Sequence, residues 1–402
     1  MKILLVNKFL YPKGGAETYV IKLGKYLEDQ GHEVQYFGLE NKKNILTNKY
    51  NLYVSELDLT QNNMKSVLNV YKLIYSNEAK NKMSKLLDNY KPDLIILNNI
   101  EYHLTPAIII AIGKYKEKIN NKARLFYVAH DYQLICPSHG LFDTNVNICE
   151  KCLNGNYWNC YKTKCLKNSK LKSLIGSIDS TYWHKKNIYK CVDKIICPSE
   201  FMKNKLDTQE KLKNKTIAIH NFVDRQGKEE YLKEDYIINF GKFCKDKGTE
   251  TLLNVVKKLR NIKFVFAGYG PLENKIKNNE NAIFVGFKTG EELKELVSKA
   301  RFSIYPSEWY ENCPFSVIES QMYGTPVIGS NIGGIPELIN VGKTGEVFET
   351  GNADDLEKKV LKLWKNKELL EEYTENCKTI EIETIEKYTK KILEIYEGMQ
   401  IE

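Results

Sequence analysis

The 402-residue sequence contains no long apolar run and no low-complexity segment. Nowhere do about eighteen apolar residues follow one another, which is the length that a helix needs to cross a bilayer. The mostly apolar start of the chain, Met1–Val6, is too short for the core of a signal peptide. We therefore expect a soluble, cytoplasmic protein.

Signature patterns of two protein classes are also missing. The sequence has no helix-turn-helix, zinc-finger or RNP-type aromatic pattern, so we expect no nucleic-acid partner despite the net charge of +9. No Gly-x-Gly-x-x-Gly motif opens the first predicted helix, which argues against a nicotinamide-dependent oxidoreductase. The positive charge suits phosphorylated ligands or an anionic membrane face, and a lysine-rich, solvated surface is the alternative.

What the sequence does contain is a repeated alternation of strand and helix patterns. Short apolar runs bounded by polar residues, glycine or proline are typical of parallel strands that are buried on both faces. The runs lie at Lys2–Val6, Val34–Phe37, Asp93–Leu97, Arg124–Ala129, Val192–Cys197, Tyr236–Phe240, Phe264–Ala267, Ala282–Val285, Phe302–Tyr305 and Pro326–Gly329. Because 402 residues exceed what one core usually supports, the alternation predicts an α/β fold with two doubly wound, Rossmann-like domains that face a cleft.

A polar stretch that ends near Asp235 divides the two halves of the chain. We expect an N-terminal domain over residues 1–222, a C-terminal domain over residues 223–380 and a closing helix over residues 381–402. The helix is predicted from apolar side chains at helical spacing. These side chains are Ile385, Tyr388, Ile392, Ile395 and Tyr396.

An anion-binding helix start is predicted after the strand at Phe302–Tyr305. Asn312 or Cys313 is expected to cap the helix, and Pro314 suits its first turn because the N–H that proline lacks would be unpaired there. Free backbone amides and the positive end of the helix dipole stabilise an anion such as a diphosphate.

Two carboxylates flank this helix start. Glu311 precedes the helix and Glu319 lies inside it, at a spacing that lets both face one ligand. Carboxylates accept hydrogen bonds from sugar hydroxyls. A ligand with a diphosphate and two sugars, a ribose and a second sugar, would account for both glutamates.

This region resembles the family 4 glycosyltransferases of the GT-B fold, whose hallmark is two glutamates separated by seven residues, as Glu311 and Glu319 are. Further motifs of the family follow in its order along nearly the whole chain. They are Gly14-Gly15, His130-Asp131, Asn221–Asp224, Gly241-Lys242, Lys247-Gly248, Gly268–Pro271, Tyr323–Ile328 and Gly333–Glu337.

The resemblance implies a retaining, hexosyltransferase-type enzyme that uses a UDP- or GDP-sugar as donor and requires no metal or other cofactor. It also implies a glycan acceptor on a lipid carrier, in the synthesis of a capsule or another surface polysaccharide. With the basic surface, this predicts peripheral contact with an anionic membrane at the inner face of the cell. A non-catalytic nucleotide-sugar binding module or regulatory subunit is the alternative.

The resemblance assigns roles to single residues. Glu319 would contact the nucleotide ribose and Glu311 the donor sugar, while Lys242 and Lys247 would hold the diphosphate. His130 would lie beside the donor sugar and the attacking hydroxyl, and a purely structural histidine is the alternative. The catalytic candidates are therefore His130, Glu311, Lys242 and Lys247. The remaining donor-binding candidates are Gly14, Gly15, Gly268, Asn312, Cys313, Pro314, Phe315 and Ser316.

Some positions differ from the family or allow more than one interpretation. Family members usually have arginine where this chain has Lys242, and a Gly-aromatic-Gly run at Asn312–Pro314, which leaves the donor sugar open. A lysine keeps the charge but loses the bidentate fork of arginine. Asp131 either supports the His130 ring or caps the next segment, and Gly14-Gly15 also suits a tight turn without a ligand.

Five of the ten cysteines lie in an insert at about residues 136–172, with His139 nearby. The spacing of the last four matches the ligands of a tetrahedral zinc ion. Reduced thiols or a redox-sensitive disulfide are the alternatives. The insert is a candidate acceptor-facing or membrane-facing loop, or a surface decoration. The five cysteines are Cys136, Cys149, Cys152, Cys160 and Cys165.

Overall fold

The computed structural model describes residues 1–56, 71–145, 147–223 and 231–401. Asp224 of the predicted motif and Glu402 of the predicted closing helix lie outside these residues. The described strands form two parallel sheets of six strands each, one from each half of the chain. The predicted α/β fold with two doubly wound halves is confirmed.

The first sheet is built from residues 2–218. Its strands are β1 (Lys2–Val6), β2 (Glu33–Phe37), β3 (Leu94–Leu97), β4 (Arg124–Val128), β5 (Lys194–Cys197) and β6 (Thr216–Ala218). They pair in the order β2-β1-β3-β4-β5-β6. The α-helices of this half whose full extent is described include α1 (Gly15–Asp29), α2 (Asn77–Tyr90), α3 (Ala107–Lys118), α4 (Trp158–Thr163), α5 (Lys170–Lys185) and α6 (Glu200–Leu206).

The second sheet is built from residues 234–348. Its strands are β7 (Glu234–Lys242), β8 (Lys263–Tyr269), β9 (Ala282–Gly286), β10 (Ala300–Tyr305), β11 (Val327–Ser330) and β12 (Gly345–Phe348). They pair in the order β12-β11-β10-β7-β8-β9. The helices are α7 (Thr249–Lys258), α8 (Glu273–Lys277), α9 (Gly290–Lys299), α10 (Phe315–Met322), α11 (Ala353–Lys365) and α12 (Lys367–Thr379).

Alternate residues of one strand enter separate cores on the two faces of each sheet. In β3 the first and third residues pack in one core and the second and fourth in the other, and all four are at most 1% exposed. Ile237 and Ile238 of β7 divide in the same way. Because both faces of these strands are buried, the strands are continuous apolar runs in the sequence.

A last helix, α13 (Ile385–Ile401), returns from the second half to the first. Its buried residues Tyr388 and Ile392 pack in the core between α1 and the first sheet. The Tyr388 hydroxyl lies 2.8 Å from the hydroxyl of Tyr19 on α1. Within the described ranges, no helix combines the length and the apolar character needed to span a bilayer.

Replacing Tyr388 with alanine is expected to destabilise the protein strongly. The change removes a buried ring and its bond to Tyr19, and aromatic-to-alanine changes in cores cost about 3–5 kcal/mol. Urea unfolding followed by circular dichroism measures the free energy of unfolding. Lys390→Ala, on the exposed face of the same helix, is the control and is expected to change it by less than about 0.5 kcal/mol. A similarly small effect of Tyr388→Ala would show that this core does not anchor α13.

Candidate active site

Each sheet reverses its strand order at one point, and the two points meet at a cleft. The reversal lies between β1 and β3 in the first sheet and between β7 and β10 in the second. In open α/β sheets, ligands bind beyond the carboxyl ends of the strands at such a point. The segments that follow these four strands contribute Gly15, Asn99, Lys247 and Trp309 to the wall of one cavity.

The cleft contains two adjoining cavities of about 480 and 250 Å³, which share Gly15, Tyr19 and Phe315. Glu319 lines the smaller cavity. Eight predicted residues from both halves of the chain line the larger one. They are Gly15, His130, Lys247, Glu311, Asn312, Cys313, Pro314 and Phe315.

Four predicted residues line neither cavity in the part of the chain that the structure describes. Gly14 and Ser316 are the sequence neighbours of Gly15 and Phe315, which line both cavities. Lys242 ends β7 with an exposed side chain. Gly268 is required by packing, because a Cβ atom there would lie 1.8 Å from the carbonyl oxygen of Gly241 on the adjacent strand.

Glu311 is buried in the wall of the larger cavity, with 6% of the residue exposed. Its Oε1 accepts hydrogen bonds from Lys247 Nζ at 2.5 Å and from the hydroxyls of Tyr305 and Ser307, each at 2.9 Å. These bonds offset the cost of desolvating the ion pair. Its Oε2 has no hydrogen-bond partner among the described residues and can therefore accept a bond from a ligand hydroxyl.

The start of α10 differs from the prediction. Pro314 occupies the N-cap position, and no described side chain bonds to the first amides of the helix. Asn312 instead donates from Nδ2 to the carbonyl oxygen of His130 at 2.8 Å, and the carbonyl oxygen of Cys313 accepts from Asn221 Nδ2 at 3.4 Å. The expected cap by Asn312 or Cys313 is therefore wrong, because both residues bond across the cleft. The first amides of the helix keep no side-chain partner, which suits an anion.

His130 lies just beyond the carboxyl end of β4 in the wall of the larger cavity. Its Nε2 is 2.8 Å from Oδ1 of Asn98, whose own Nδ2 donates to the carbonyl of Val6 at 3.1 Å. Nε2 therefore carries the proton, and Nδ1 is the acceptor of a neutral ring. Burial lowers the pKa of His130 to about 4, although the charge of Asp131 opposes the shift. At physiological pH the ring is neutral and can accept a hydrogen bond.

Asp131 pairs with His139 and not with His130. Its Oδ2 lies 3.3 Å from Nδ1 of His139, and its Oδ1 accepts from the backbone amide of Gln133 at 2.9 Å. Burial alone would lower the pKa of His139, but the carboxylate outweighs it and the pKa is raised. Of the two interpretations that the sequence left open, the bond to Gln133 fits a cap on the next segment, and the pairing with His139 does not fit support of the His130 ring.

Glu319 lines the smaller cavity from inside α10. Burial raises the pKa of its carboxyl, and the charge of Lys22 on α1 opposes the shift. Phe222 and Phe315 line the same cavity. The smaller cavity therefore offers a carboxylate beside apolar rings, which are the surfaces that a nucleoside contacts through its ribose and base.

The cysteine-rich insert contains a disulfide, which corrects the zinc interpretation. Cys160 is bonded to Cys165, while Cys136, Cys149 and Cys152 are free. Two of the four predicted ligands therefore cannot act as thiolates. Over the described ranges, no group of three or more His, Cys, Asp or Glu residues is placed to hold a metal ion. The disulfide alternative is confirmed for the Cys160–Cys165 pair, and its redox sensitivity stays a prediction.

The insert also contacts the loop that carries Glu311, which the sequence did not predict. The ring of Phe142 packs on Trp309 with centroids 5.7 Å apart. The Tyr310 hydroxyl donates to the carboxylate of Glu150 at 2.8 Å. The position of Trp309 and Tyr310 directly before Glu311 is the signal that could have marked them as cleft residues.

Comparison with known proteins gives two family matches. The family described as Glycosyltransferase Family 4 matches residues 13–226, and the one described as Glycosyl transferases group 1 matches residues 221–379. The first match alone spans more than half of the chain, and together the two cover nearly all of it.

Single relatives match in part of their length. The chain is 35% identical over 196 residues to the uncharacterized glycosyltransferase MJ1178 of Methanocaldococcus jannaschii, over 46% of this chain and 54% of the relative. It is 30% identical over 184 residues to an uncharacterized 41.2 kDa protein in the cps region of Klebsiella pneumoniae, over 41% of this chain and 51% of the relative. The chain thus spans about half the length of these curated relatives.

A solved structure matches over the whole chain. Alr3699/HepE of Anabaena, crystallised in complex with UDP, superposes with a TM-score of 0.68 at 14% identity, over 99% of this chain and 100% of that chain. At this identity the likeness shows a shared fold.

The neutral state of His130 predicts how stability depends on pH. Its folded-state pKa of about 4 lies below the ordinary value of 6.5, so between these values the ring takes up a proton on unfolding. The unfolded state then binds more protons than the folded state, and stability falls as the pH drops through this window. Free energies of unfolding at about pH 7 and about pH 5 should therefore differ less in His130→Gln than in the wild type. An equal loss of unfolding free energy in both proteins would show that the His130 ring is already protonated in the folded protein at about pH 5.

Proposed function

The chain belongs to glycosyltransferase family 4, and from this membership we propose that it transfers a sugar from a nucleotide-sugar donor to an acceptor hydroxyl. The observation that carries the proposal is the cleft, where candidate residues of both halves line two adjoining cavities. We assign the acceptor to the half over residues 1–222 and the donor to the half over residues 223–380. The closing helix, predicted over residues 381–402 and described as α13 over Ile385–Ile401, joins them.

In this proposal the donor lies across both cavities. Its diphosphate lies at the first amides of α10, which have no side-chain partner among the described residues, near the charge of Lys247. The ribose hydroxyls donate to Glu319 in the smaller cavity, and the transferred sugar donates to Oε2 of Glu311 in the larger one. Lys242, exposed at the end of β7, adds positive charge at longer range.

The proposed reaction retains the configuration of the transferred carbon, as the family resemblance implies. The bond from this carbon to the diphosphate breaks, the acceptor oxygen forms a bond to the same face, and the leaving phosphate oxygen takes the acceptor proton. Negative charge grows on the leaving group, and Lys247 and the helix amides stabilise it in place of a metal ion. Neutral His130 orients a hydroxyl by accepting its hydrogen bond. Glu311, already held through Oε1 by three donors, binds the sugar.

The proposed donors are UDP- or GDP-sugars, and the proposed acceptor is a surface polysaccharide growing on a lipid carrier. HepE, which binds UDP in its structure, supports a uridine nucleotide. The resemblance to capsule and exopolysaccharide enzymes supports the acceptor, and so does the relative from a cps region.

We assign membrane contact, at the inner face of the cell membrane, to the surface of the insert. Residues 151–178 include six lysines and no acidic residue. Exposed aromatic and aliphatic side chains stand among these lysines. They are Trp158, Tyr161, Leu171 and Ile178. Positive charge attracts anionic lipid headgroups, and exposed aromatic rings favour the interface between headgroups and acyl chains.

Donor turnover is expected to depend on the Lys247–Glu311 pair. A thermal-shift screen against UDP-, GDP-, ADP- and dTDP-sugars first identifies the donor, since a ligand that binds the native state raises the melting temperature. Lys247→Ala and Glu311→Ala are each expected to lower turnover of that donor by about 100-fold, because each removes a group that contacts the reacting part of the donor.

Lys245→Ala is the matched control, since Lys245 is an exposed lysine of the same loop as Lys247. This change is expected to lower turnover by less than about twofold. Melting temperatures of all variants without ligand separate unfolding from loss of activity. Donor binding by a wild type that shows no turnover would favour the non-catalytic binding module. Turnover that both alanine variants retain in full would contradict the assignment of Lys247 and Glu311 to the reacting site. A wild type that none of the sugar nucleotides stabilises would refute the proposed function.

Membrane contact is expected to require the lysines of the insert. Co-sedimentation with vesicles of phosphatidylglycerol and phosphatidylcholine should fall at least about 10-fold when five of these lysines become glutamine, since each lysine near an anionic surface contributes about 1 kcal/mol. The five are Lys162, Lys164, Lys167, Lys170 and Lys172. The control replaces five exposed lysines of the other half, Lys257, Lys263, Lys275, Lys277 and Lys365. Equal losses in both variants would point to the overall charge and not to the insert.

A further inference from the structure

Three polar atoms that belong to residues lining the larger cavity have no hydrogen-bond partner among the described residues. They are the hydroxyl of Tyr132, Nε1 of Trp309 and Oδ1 of Asn312. Each is shielded from solvent. Buried polar groups in native proteins nearly always have a partner, because leaving one unbonded is costly. A partner from outside the chain would account for all three.

Tyr132 belongs to the first half of the chain and is held in place by its backbone. Its amide donates to the carbonyl of His139 at 3.0 Å, and the residue is 1% exposed. Burial raises the pKa of its hydroxyl, and the charge of Glu311 raises it further. The hydroxyl therefore keeps its proton, lies within the electrostatic reach of Glu311 and can donate a hydrogen bond.

Trp309 and Asn312 belong to the second half and flank Glu311 in the same loop. The Trp309 ring packs on Phe142, with centroids 5.7 Å apart, and Nζ of Lys247 lies 4.5 Å from its centroid. The Nδ2 of Asn312 is bonded to the carbonyl of His130 at 2.8 Å, which leaves only its oxygen for another group. The loop therefore presents one further donor and one further acceptor.

We infer that Tyr132 and Trp309, together with Asn312, bind hydroxyl groups of the transferred sugar and so select the donor sugar. The inference rests on the proposed function. A hydroxyl both donates and accepts, so sugar hydroxyls can satisfy the O–H of Tyr132, the N–H of Trp309 and the oxygen of Asn312. A phosphate suits the two donors but is repelled by the Asn312 oxygen and by the carboxylate of Glu311, which makes this wall a sugar site.

The test deletes one hydroxyl at a time. Tyr132→Phe is compared with Tyr157→Phe, which removes another buried hydroxyl that has no partner in the described chain and does not line the cleft cavities. Calorimetry measures the affinity of each protein for UDP and UDP-glucose, and for GDP and GDP-mannose. Neither variant is expected to melt below the wild type, because no hydrogen bond within the chain is lost.

Tyr132→Phe is expected to lower affinity for the sugar nucleotide about 5- to 10-fold while affinity for the free nucleotide changes less than about twofold. Trp309→Phe, which keeps an aromatic ring but deletes the N–H, is expected to cause the same selective loss of affinity for the sugar nucleotide. Tyr157→Phe is expected to leave both affinities unchanged. Wild-type affinities in both Tyr132→Phe and Trp309→Phe, or equal losses for nucleotide and sugar nucleotide, would overturn the inference. A wild type that binds none of the four ligands would instead refute the proposed UDP- or GDP-sugar donor, and the inference with it.

Discussion

The ion pair between the partly exposed Lys247 and the buried carboxylate of Glu311 sets the geometry of the cleft wall. A buried pair is stable only when its geometry is good and other bonds satisfy the carboxylate. Tyr305 and Ser307 supply those bonds here. The ion pair itself holds the loop after β10 close to the loop after β7. Both loops lie where the second sheet reverses its strand order, so one electrostatic constraint holds this wall of the cleft at the carboxyl edge of that sheet.

The loop that carries Glu311 explains why positions 333 and 334 are both glycine. A Cβ atom at Gly333 would lie 2.3 Å from the carbonyl oxygen of Glu311, and one at Gly334 would lie 1.9 Å from that of Asn312. The amide of Gly334 also donates to the Glu311 carbonyl at 2.7 Å. The glycines therefore let the segment after β11 close directly on the Glu311 backbone. Across the cleft, polar bonds such as that from Asn312 to His130 join the halves.

Strand prediction failed where a strand was short or contained a charge. β6 has three residues, all partly exposed at the edge of the first sheet, and gives no apolar run. β12 contains Glu346, which interrupts the apolar pattern but is 2% exposed in the structure. Its carboxylate is satisfied by Lys359, Lys362 and Tyr373, which come from α11 and α12 and were not recognisable as its partners in the sequence. The helix cap failed for a similar reason, because Asn312 found a partner in the other half.

The sequence by itself determined the two alternating α/β halves, the apolar stripe of the last helix and the place of the two glutamates at a helix start. These follow from apolar periodicity and turn residues, which act over a few neighbouring positions. Only the tertiary structure decided which polar groups meet. Glu311 bonds to a lysine 64 positions away, and Asn312 to a carbonyl 182 positions away. These partners meet because the strand ends converge there and because an unpaired buried polar group is costly. No pattern of neighbouring residues shows which distant groups will meet.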